Sequence, residues 1–460
     1  MGKPLLLAIA PVLSQSGYGK HAADLVRCII QLDKFDVKIW NIRWGATPLN
    51  ALTPGMDDDL LSRILPTPQL PKQPEIAFIV TIPSEFPQYA AGKYNIGVTA
   101  GIETTVCNPT WIDGLNRMDL NIVPSQHSKA VFERSEFTKN DAAGKPIQHV
   151  KLAKPVEVLF EGANINIYKR TEQLSESVVN ELKDVPEDFL FLYVGHWLQG
   201  SLGNDRKDVG MLIKVFLETF KNKDNPPALV LKASSATFSI LDREELLKKI
   251  QQIKSSISGT RLPNVYLLHG QLTDEEMNSL NNHPKIKAMI TFTKGEGFCR
   301  PLLEFSLCGK PIIASAWSGH VDFLDKDLSL LLPGKIGPVD PSAVNDFIIK
   351  DSQWFTADYN VASSFMSELH KNYNKYLSNS RKLMYQNKET FALDGMKRKL
   401  NLILNKYLPE FPEELPLKLP IRKITLPKLN KGSSLIQPVT DLNISSSQEV
   451  LLNKSNSVSI

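Results

Sequence analysis

TFTKGEGFCRPLLEFSLCGKPIIAS, residues 291–315, carries the plainest sign of how the chain folds. AMITFT, which runs into it and ends at Thr293, is short and apolar, as a buried strand is. A loop follows from Lys294 to Phe298. Pro301 suits the first turn of a helix, where its missing N–H costs nothing, and Gly309 suits the position past the helix end. KPIIASA is a second strand. Strand, loop, helix and strand make one unit of a parallel sheet, and ligands of such sheets bind outside the carboxyl ends of the strands, near helix starts. Glu296 falls in that loop, and Glu304 lies eight positions on, in the first turns of the helix. The amides around Gly297, Phe298 and Cys299 stand at the positive end of the helix dipole. The spacing predicts an anion cradle flanked by two carboxylates, each able to take two hydrogen bonds from a vicinal diol. Taken alone, it also fits a capped helix with Glu304 in a surface salt bridge.

Outward from this unit the same alternation fills the chain. In the first half PLLLAIAPVL, FDVKIWNI, EIAFIVTI, YNIGVTAG and LNIVPS read as strands, with a helix from about His21 to Leu32. FLFLYVGHW restarts the series, followed by a helix from about Val209 to Lys221 and the strands PALVLKASS, VYLLHG, AMITFT and KPIIASA. Two such series predict an α/β chain of two doubly wound, Rossmann-like parallel-sheet domains. The polar stretch between Asn166 and Asp188 separates them. The expected organisation is a first domain over 1–175, a second over 176–360, helices over 361–408 packing back toward the first domain, and an extended or disordered Pro- and Ser-rich tail over 409–460.

Other strand ends carry further candidates. SQSGYGKHAA places Gly17, Gly19 and Ala22 as G-x-G-x-x-A between a strand and a helix, serving either anion contact or backbone shape. The second strand ends at Asn41 and Arg43 where a dinucleotide site wants an acid, which argues against NAD. Arg206 and Lys207 precede a helix and read either as phosphate ligands or as a solvated pair. Lys232 ends a strand. Thr273 and Glu276 form a capping box.

The segment EGFCRPLLEFSLCGKPIIAS resembles the E-x7-E donor motif of the retaining GT-B glycosyltransferases of group 1 (family 4-like). Cys299 stands for the usual third glycine and Phe305 for a usual alanine. VGHWLQGSLGNDRKDVGMLIKVF, HGQLTDEEMNSL, GIETTVCNPTWIDGLNRMDLNIVPSQHSKAVFE and EGANINIY resemble further segments in family order, so the likeness spans Pro4 to Leu408. The resemblance implies a GT-B fold, two facing domains with a C-terminal helix returning to the first. It also implies metal-independent transfer from a nucleoside-diphosphate sugar to a hydroxyl. By the same resemblance, Glu296 contacts donor-sugar hydroxyls, Glu304 the ribose diol, and Arg206 and Lys207 the diphosphate. Backbone near Gly270 and Leu272 meets the base, and Glu103 faces the cleft. Gly17, Gly19, Lys232, Gly297, Phe298 and Cys299 complete the donor side. Trp111 reads as core, Asp119 as a loop anchor, Ser125 as a helix cap, and His127 as either a surface residue or a ligand.

Composition narrows the alternatives. Across 460 residues, 53 Lys and Arg face 49 Asp and Glu, a formal charge of +4, which is too even to argue for nucleic acid or a membrane surface. The four cysteines form no C-x-x-C pair and the eight histidines show no H-x-x-x-H spacing, so reduced thiols and no structural metal are expected. No segment holds 18 uninterrupted apolar residues, so no integral membrane segment is expected and the chain is read as cytoplasmic or peripheral. The acceptor is open: glycan, lipid, protein or modified DNA base. The last would use Lys129, Arg134, Lys139, Lys145, Lys151 and Lys154. A catalytically silent sugar-nucleotide-binding scaffold also fits. A nucleotide-sugar epimerase wants NAD and a Tyr-x-x-x-Lys pair, which YNKYLSNSRK does not supply at a sheet edge.

Overall fold

The computed structural model describes residues 2–411 except 142, 198, 236 and 237, so the expected tail lies, from 412 on, outside the described residues. By contacts the chain divides into Met1–Phe411 and Pro412–Ile460, and everything below belongs to the first unit.

The first half contains β1 (Leu5–Ala10), α1 (Gly17–Gln31), β2 (Asp36–Asn41), β3 (Ile76–Val80), β4 (Tyr94–Val98), β5 (Leu120–Val123), α2 (Gln126–Arg134), the hairpin β6 (Glu136–Asn140) and β7 (Pro146–Lys151), and β8 (Val156–Val158). Its sheet has the order β2-β1-β3-β4-β5-β8, with every pair parallel. The second half contains β9 (Leu190–His196), α3 (Val209–Phe220), β10 (Ala228–Ser234), α4 (Ile240–Ser255), β11 (Val265–Leu267), α5 (Asp274–Asn282), β12 (Ile286–Ile290), α6 (Arg300–Ser306), β13 (Ile312–Ser315) and β14 (Leu330–Leu332). Its order is β11-β10-β9-β12-β13-β14, again all parallel. An antiparallel hairpin, β15 (Gly334–Pro338) with β16 (Gln353–Ala357), follows.

Continuous apolar strands are what a sheet covered on both faces requires, because alternate side chains enter different cores. In β1, Leu6, Ala8 and Ala10 enter one core while Leu7 and Ile9 enter another. In β9, Leu190 and Leu192 join the first of these cores, and Phe191 and Tyr193 pack on the far side with Phe216 of α3 and Leu246 of α4. One apolar cluster therefore runs from Leu6 and Val26 of the first half through Phe298, Leu302 and Phe305 of the second.

The C-terminal helices are α7 (Tyr359–Lys371), α8 (Tyr373–Thr390) and α9 (Leu393–Tyr407). They do not act alike. α7 packs on α3 and stays with the second half, α8 packs on α6, and α9 reaches α1 of the first half. Met396, Leu400 and Leu404 of α9 bury into the shared core. α9 makes the return to the first half; α7 stays with the second because Ala362, Met366 and Leu369 belong to the core behind the second sheet. The first helix starts at Gly17 rather than His21, because Ser16 caps it by accepting from the Gly19 amide. The hairpin β6–β7 was not foreseen, since EFTKN and PIQHVK are almost wholly exposed and lack apolar alternation.

Candidate functional site

The loop after β12 carries Glu296 inward, where its side chain is nearly sealed from solvent. Its carboxylate pairs with the Lys207 ammonium, lies 3.4 Å from Arg206 Nη1, and accepts from Thr293 Oγ1 at 2.8 Å. Burial pushes the carboxyl up, and Lys207 and Arg206 outweigh it, leaving it depressed to about 2. The sequence puts both cations on the short segment before α3. Lys294 N–H donates to the Arg206 carbonyl at 2.8 Å and locks that segment to the Glu296 loop. Arg206 Nη1 also donates to the Gly295 carbonyl at 2.9 Å and stands 3.5 Å from Glu103 Oε1, on the loop after β4. Glu103, Arg206, Lys207 and Glu296, all singled out from the sequence, thus form one cluster that joins the two halves.

Backbone meets backbone at this junction. A methyl group on Gly295 would come within 1.8 Å of the Glu103 carbonyl oxygen, and one on Gly297 within 1.9 Å of that of Ala100. The two glycines of GEG are therefore required for the halves to approach. Ser318 supports the loop from behind, its Oγ accepting from the Glu296 amide at 2.9 Å. It does so at φ 79° and ψ −162°, a conformation that suits glycine.

Glu304 lies on the inner face of α6, also buried. Its Oε1 is 3.3 Å from Arg300 Nε, one helical turn earlier, and 3.3 Å from Lys20 Nζ of α1. Arg300 in turn holds Asp24 of α1 at 2.7 Å. Lys20 also reaches Asp274 Oδ1 at 2.6 Å and the Tyr168 hydroxyl at 3.0 Å. Glu161 is buried beside this network; burial raises its carboxyl to about 7, against the pull of Arg300. Both acids of the decisive stretch thus face the first half.

The remaining candidates fall as follows. Lys232 is buried at the end of β10, where its ammonium donates to the Gly270 carbonyl and burial lowers it to about 8. Gly270 has φ 118°, which favours glycine, and Leu272 packs against the shared core. Gly19 needs its small size, since a methyl there would meet the Ser14 carbonyl oxygen at 2.0 Å, whereas one on Gly17 would meet nothing within 4 Å. The Gly19 amide is engaged by Ser16 at 3.0 Å. Phe298 turns its ring into the core, 5.0 Å from Phe323. Cys299 caps α6 at φ 77°, the left-handed region where the expected glycine would be at ease, and burial raises its thiol well above the usual range.

Trp111 is buried, Asp119 accepts from the Asn95 amide at 2.8 Å, and Ser125 caps α2. His127 packs edge-on against Trp317 of the second half, 4.6 Å between centroids, and burial lowers it to about 4. Thr273 and Glu276 form their capping box. Sequence reading missed Lys20, Asp24, Glu161, Tyr168, Asp274, Arg300 and Ser318. It also missed the buried pair of Lys294 with Asp208, 3.3 Å apart beneath the cations. The flanking acids of DRKD and the i,i+4 spacing of Arg300 and Glu304 were available signals. No helix among the described residues is long and apolar enough to cross a membrane.

No protein-family model matches the sequence, and no curated protein matches it significantly. Solved structures do. HepE from Anabaena, in complex with UDP and glucose, superposes with a TM-score of 0.56 at 14% identity, covering 88% of this chain and 100% of that one. Sucrose-phosphate synthase from Thermosynechococcus elongatus gives 0.58 at 13% identity, over 88% of this chain and 99% of that one. The E. coli trehalose-6-phosphate structure bound with UDP-2-fluoro glucose gives 0.57 at 10% identity, over 88% and 100%. At such identities the likeness is one of architecture, and the architecture is GT-B: two Rossmann-like parallel sheets joined by a returning C-terminal helix.

Proposed function

We propose that the chain is a glycosyltransferase that moves a sugar from a nucleoside-diphosphate donor to an acceptor hydroxyl, with retention and without a metal ion. The observation that carries the reading is the pair of buried acids bracketing the start of α6, with Arg206 and Lys207 drawn onto Glu296 and Lys20 and Arg300 onto Glu304. Glu304 takes the ribose diol, Glu296 the hydroxyls of the donor sugar, and Arg206 and Lys207 the diphosphate. As the glycosidic bond breaks, negative charge grows on the diphosphate. Cations already fixed at that place stabilise it without reorganisation, each worth about 3 kcal/mol. The departing phosphate takes the acceptor's proton on the face it leaves, which preserves the anomeric configuration. Glu103, 3.5 Å from Arg206, orients that guanidinium from the first half. The solved structures of like fold that hold UDP with glucose, or UDP-2-fluoro glucose, support a nucleotide-sugar donor.

The reading that places a modified DNA base as acceptor has less support. Lys129, Lys139 and Lys154 are paired with Glu133, Asp113 and Asp119 at 3.8, 2.8 and 4.0 Å. A thermal-shift panel of UDP-, GDP-, ADP- and dTDP-sugars, followed by donor hydrolysis and transfer, tests the proposal. One donor should stabilise the protein and be turned over. Stabilisation without hydrolysis or transfer favours the silent scaffold, and no stabilisation by any donor defeats both.

A further inference from the structure

Lys20 takes no part in holding the donor in this reading, yet it joins the halves through several contacts. It follows Gly19, whose tight packing on Ser14 fixes the start of α1. Its ammonium touches three segments distant in sequence: Glu304 of α6 at 3.3 Å, Asp274 at the start of α5 at 2.6 Å, and the Tyr168 hydroxyl at 3.0 Å, which itself donates to Asp274 at 3.0 Å. The Tyr168 ring lies 4.8 Å from the ammonium. Arg300, the other cation on Glu304, is buried and committed to Asp24, whereas the Lys20 side chain is 31% exposed and has Asp274 to retreat to. Both cations approach the same oxygen, Oε1. A carboxylate that takes one hydroxyl of a vicinal diol on each oxygen must make room on Oε1.

We propose that Lys20 is a positioning residue that competes with the donor's ribose for Glu304, so that donor binding requires Lys20 to release Glu304 and stay on Asp274 alone. This rests on Glu304 being the ribose carboxylate. Lys20 thereby couples the arrival of nucleotide to the contact between the halves. The shift is short, since both acids already lie within reach of one ammonium. It gives up the longer of two existing ion pairs, leaving Lys20 on Asp274 and Arg300 on Glu304, so neither charge is stranded and the cost stays small.

The test is calorimetric titration of UDP, GDP and ADP into the wild type, Lys20→Met, Asp274→Asn, Glu304→Ala and the double variant Lys20→Met/Glu304→Ala. Thermal melting confirms that each is folded. Lys20→Met removes the competitor and should tighten nucleotide binding about 3- to 10-fold; Asp274→Asn removes the retreat and should weaken it about 3- to 10-fold. In the Glu304→Ala background, Lys20→Met should change nothing. A merely structural role would move both single variants the same way and would persist without Glu304. Like shifts, no shift, or persistence of the Lys20→Met effect overturns the inference alone. A wild type that binds none of the three nucleotides overturns the donor reading and this inference with it.

Discussion

Replacing Lys207 with methionine leaves Glu296 a buried carboxylate with weaker company. Its side chain keeps 8% of its exposure, and what remains is Arg206 at 3.4 Å and the Thr293 hydroxyl at 2.8 Å. Breaking a buried ion pair from one side costs about 3–5 kcal/mol. The surviving arginine brings Lys207→Met below that range, to about 2–3 kcal/mol. Adding Glu296→Gln removes the stranded charge, so the double variant should recover most of that loss, with a coupling of about 2 kcal/mol. Urea unfolding followed by tryptophan fluorescence reads these differences. The pH dependence carries a sign of its own. Glu296 is depressed from 4.5 to about 2 by cations that outweigh its burial, so its contribution is complete above pH 4.5 and disappears as pH falls through about 2. The gap between wild type and Lys207→Met should shrink over that window. A Lys207→Met variant as stable as wild type, or a double variant whose losses simply add, refutes the cluster described here. On the proposed donor reading, nucleotide binding should not recover in the double variant, because Lys207 remains missing. The same logic makes Arg206→Ala/Lys207→Ala a poor probe of activity alone, since it strands Glu296 entirely.

Three further outcomes follow from the geometry. Glu161, raised by burial from 4.5 to about 7, keeps its proton in the folded protein longer than in the unfolded chain, so stability should fall as pH rises between those values; Glu161→Gln should flatten that part of a melting-temperature profile. Gly297→Ala would drive a methyl into the Ala100 carbonyl, separating the halves at the Glu296 loop, and should abolish donor turnover while far-ultraviolet circular dichroism stays unchanged. Cys299→Gly relieves a left-handed backbone at φ 77° and should stabilise the fold by about 1 kcal/mol, seen as a raised melting temperature.

The sequence made the strand centres and the two acids legible for the same reason. Fully apolar strands and a Pro-led helix after a Gly-rich loop are local patterns, and Glu296 and Glu304 are placed by that local geometry. Arg206 and Lys207 were legible because a basic pair before a helix belongs to the same kind of unit. What stayed hidden depends on packing between distant segments. Nothing in GYGKH says that Lys20 will meet Asp274 and Glu304, because that contact exists only once α1 lies against α5 and α6. Likewise the spacing of Gly17 and Gly19 cannot tell that one has open space and the other a carbonyl at 2.0 Å. The hairpin β6–β7 was hidden because neither strand carries apolar alternation. α7 looked like its neighbours in sequence, and its partner, α3, is fixed only in the assembled second half.

A crystal structure with a bound nucleoside diphosphate would show whether the two buried acids hold the donor. Ribose hydroxyls are expected on Glu304, the diphosphate at Arg206 and Lys207 facing the start of α6, and Lys20 released from Glu304 and held by Asp274 alone. Nucleotide density away from α6, with Glu296 still paired to Lys207 and Glu304 to Lys20, would contradict that expectation.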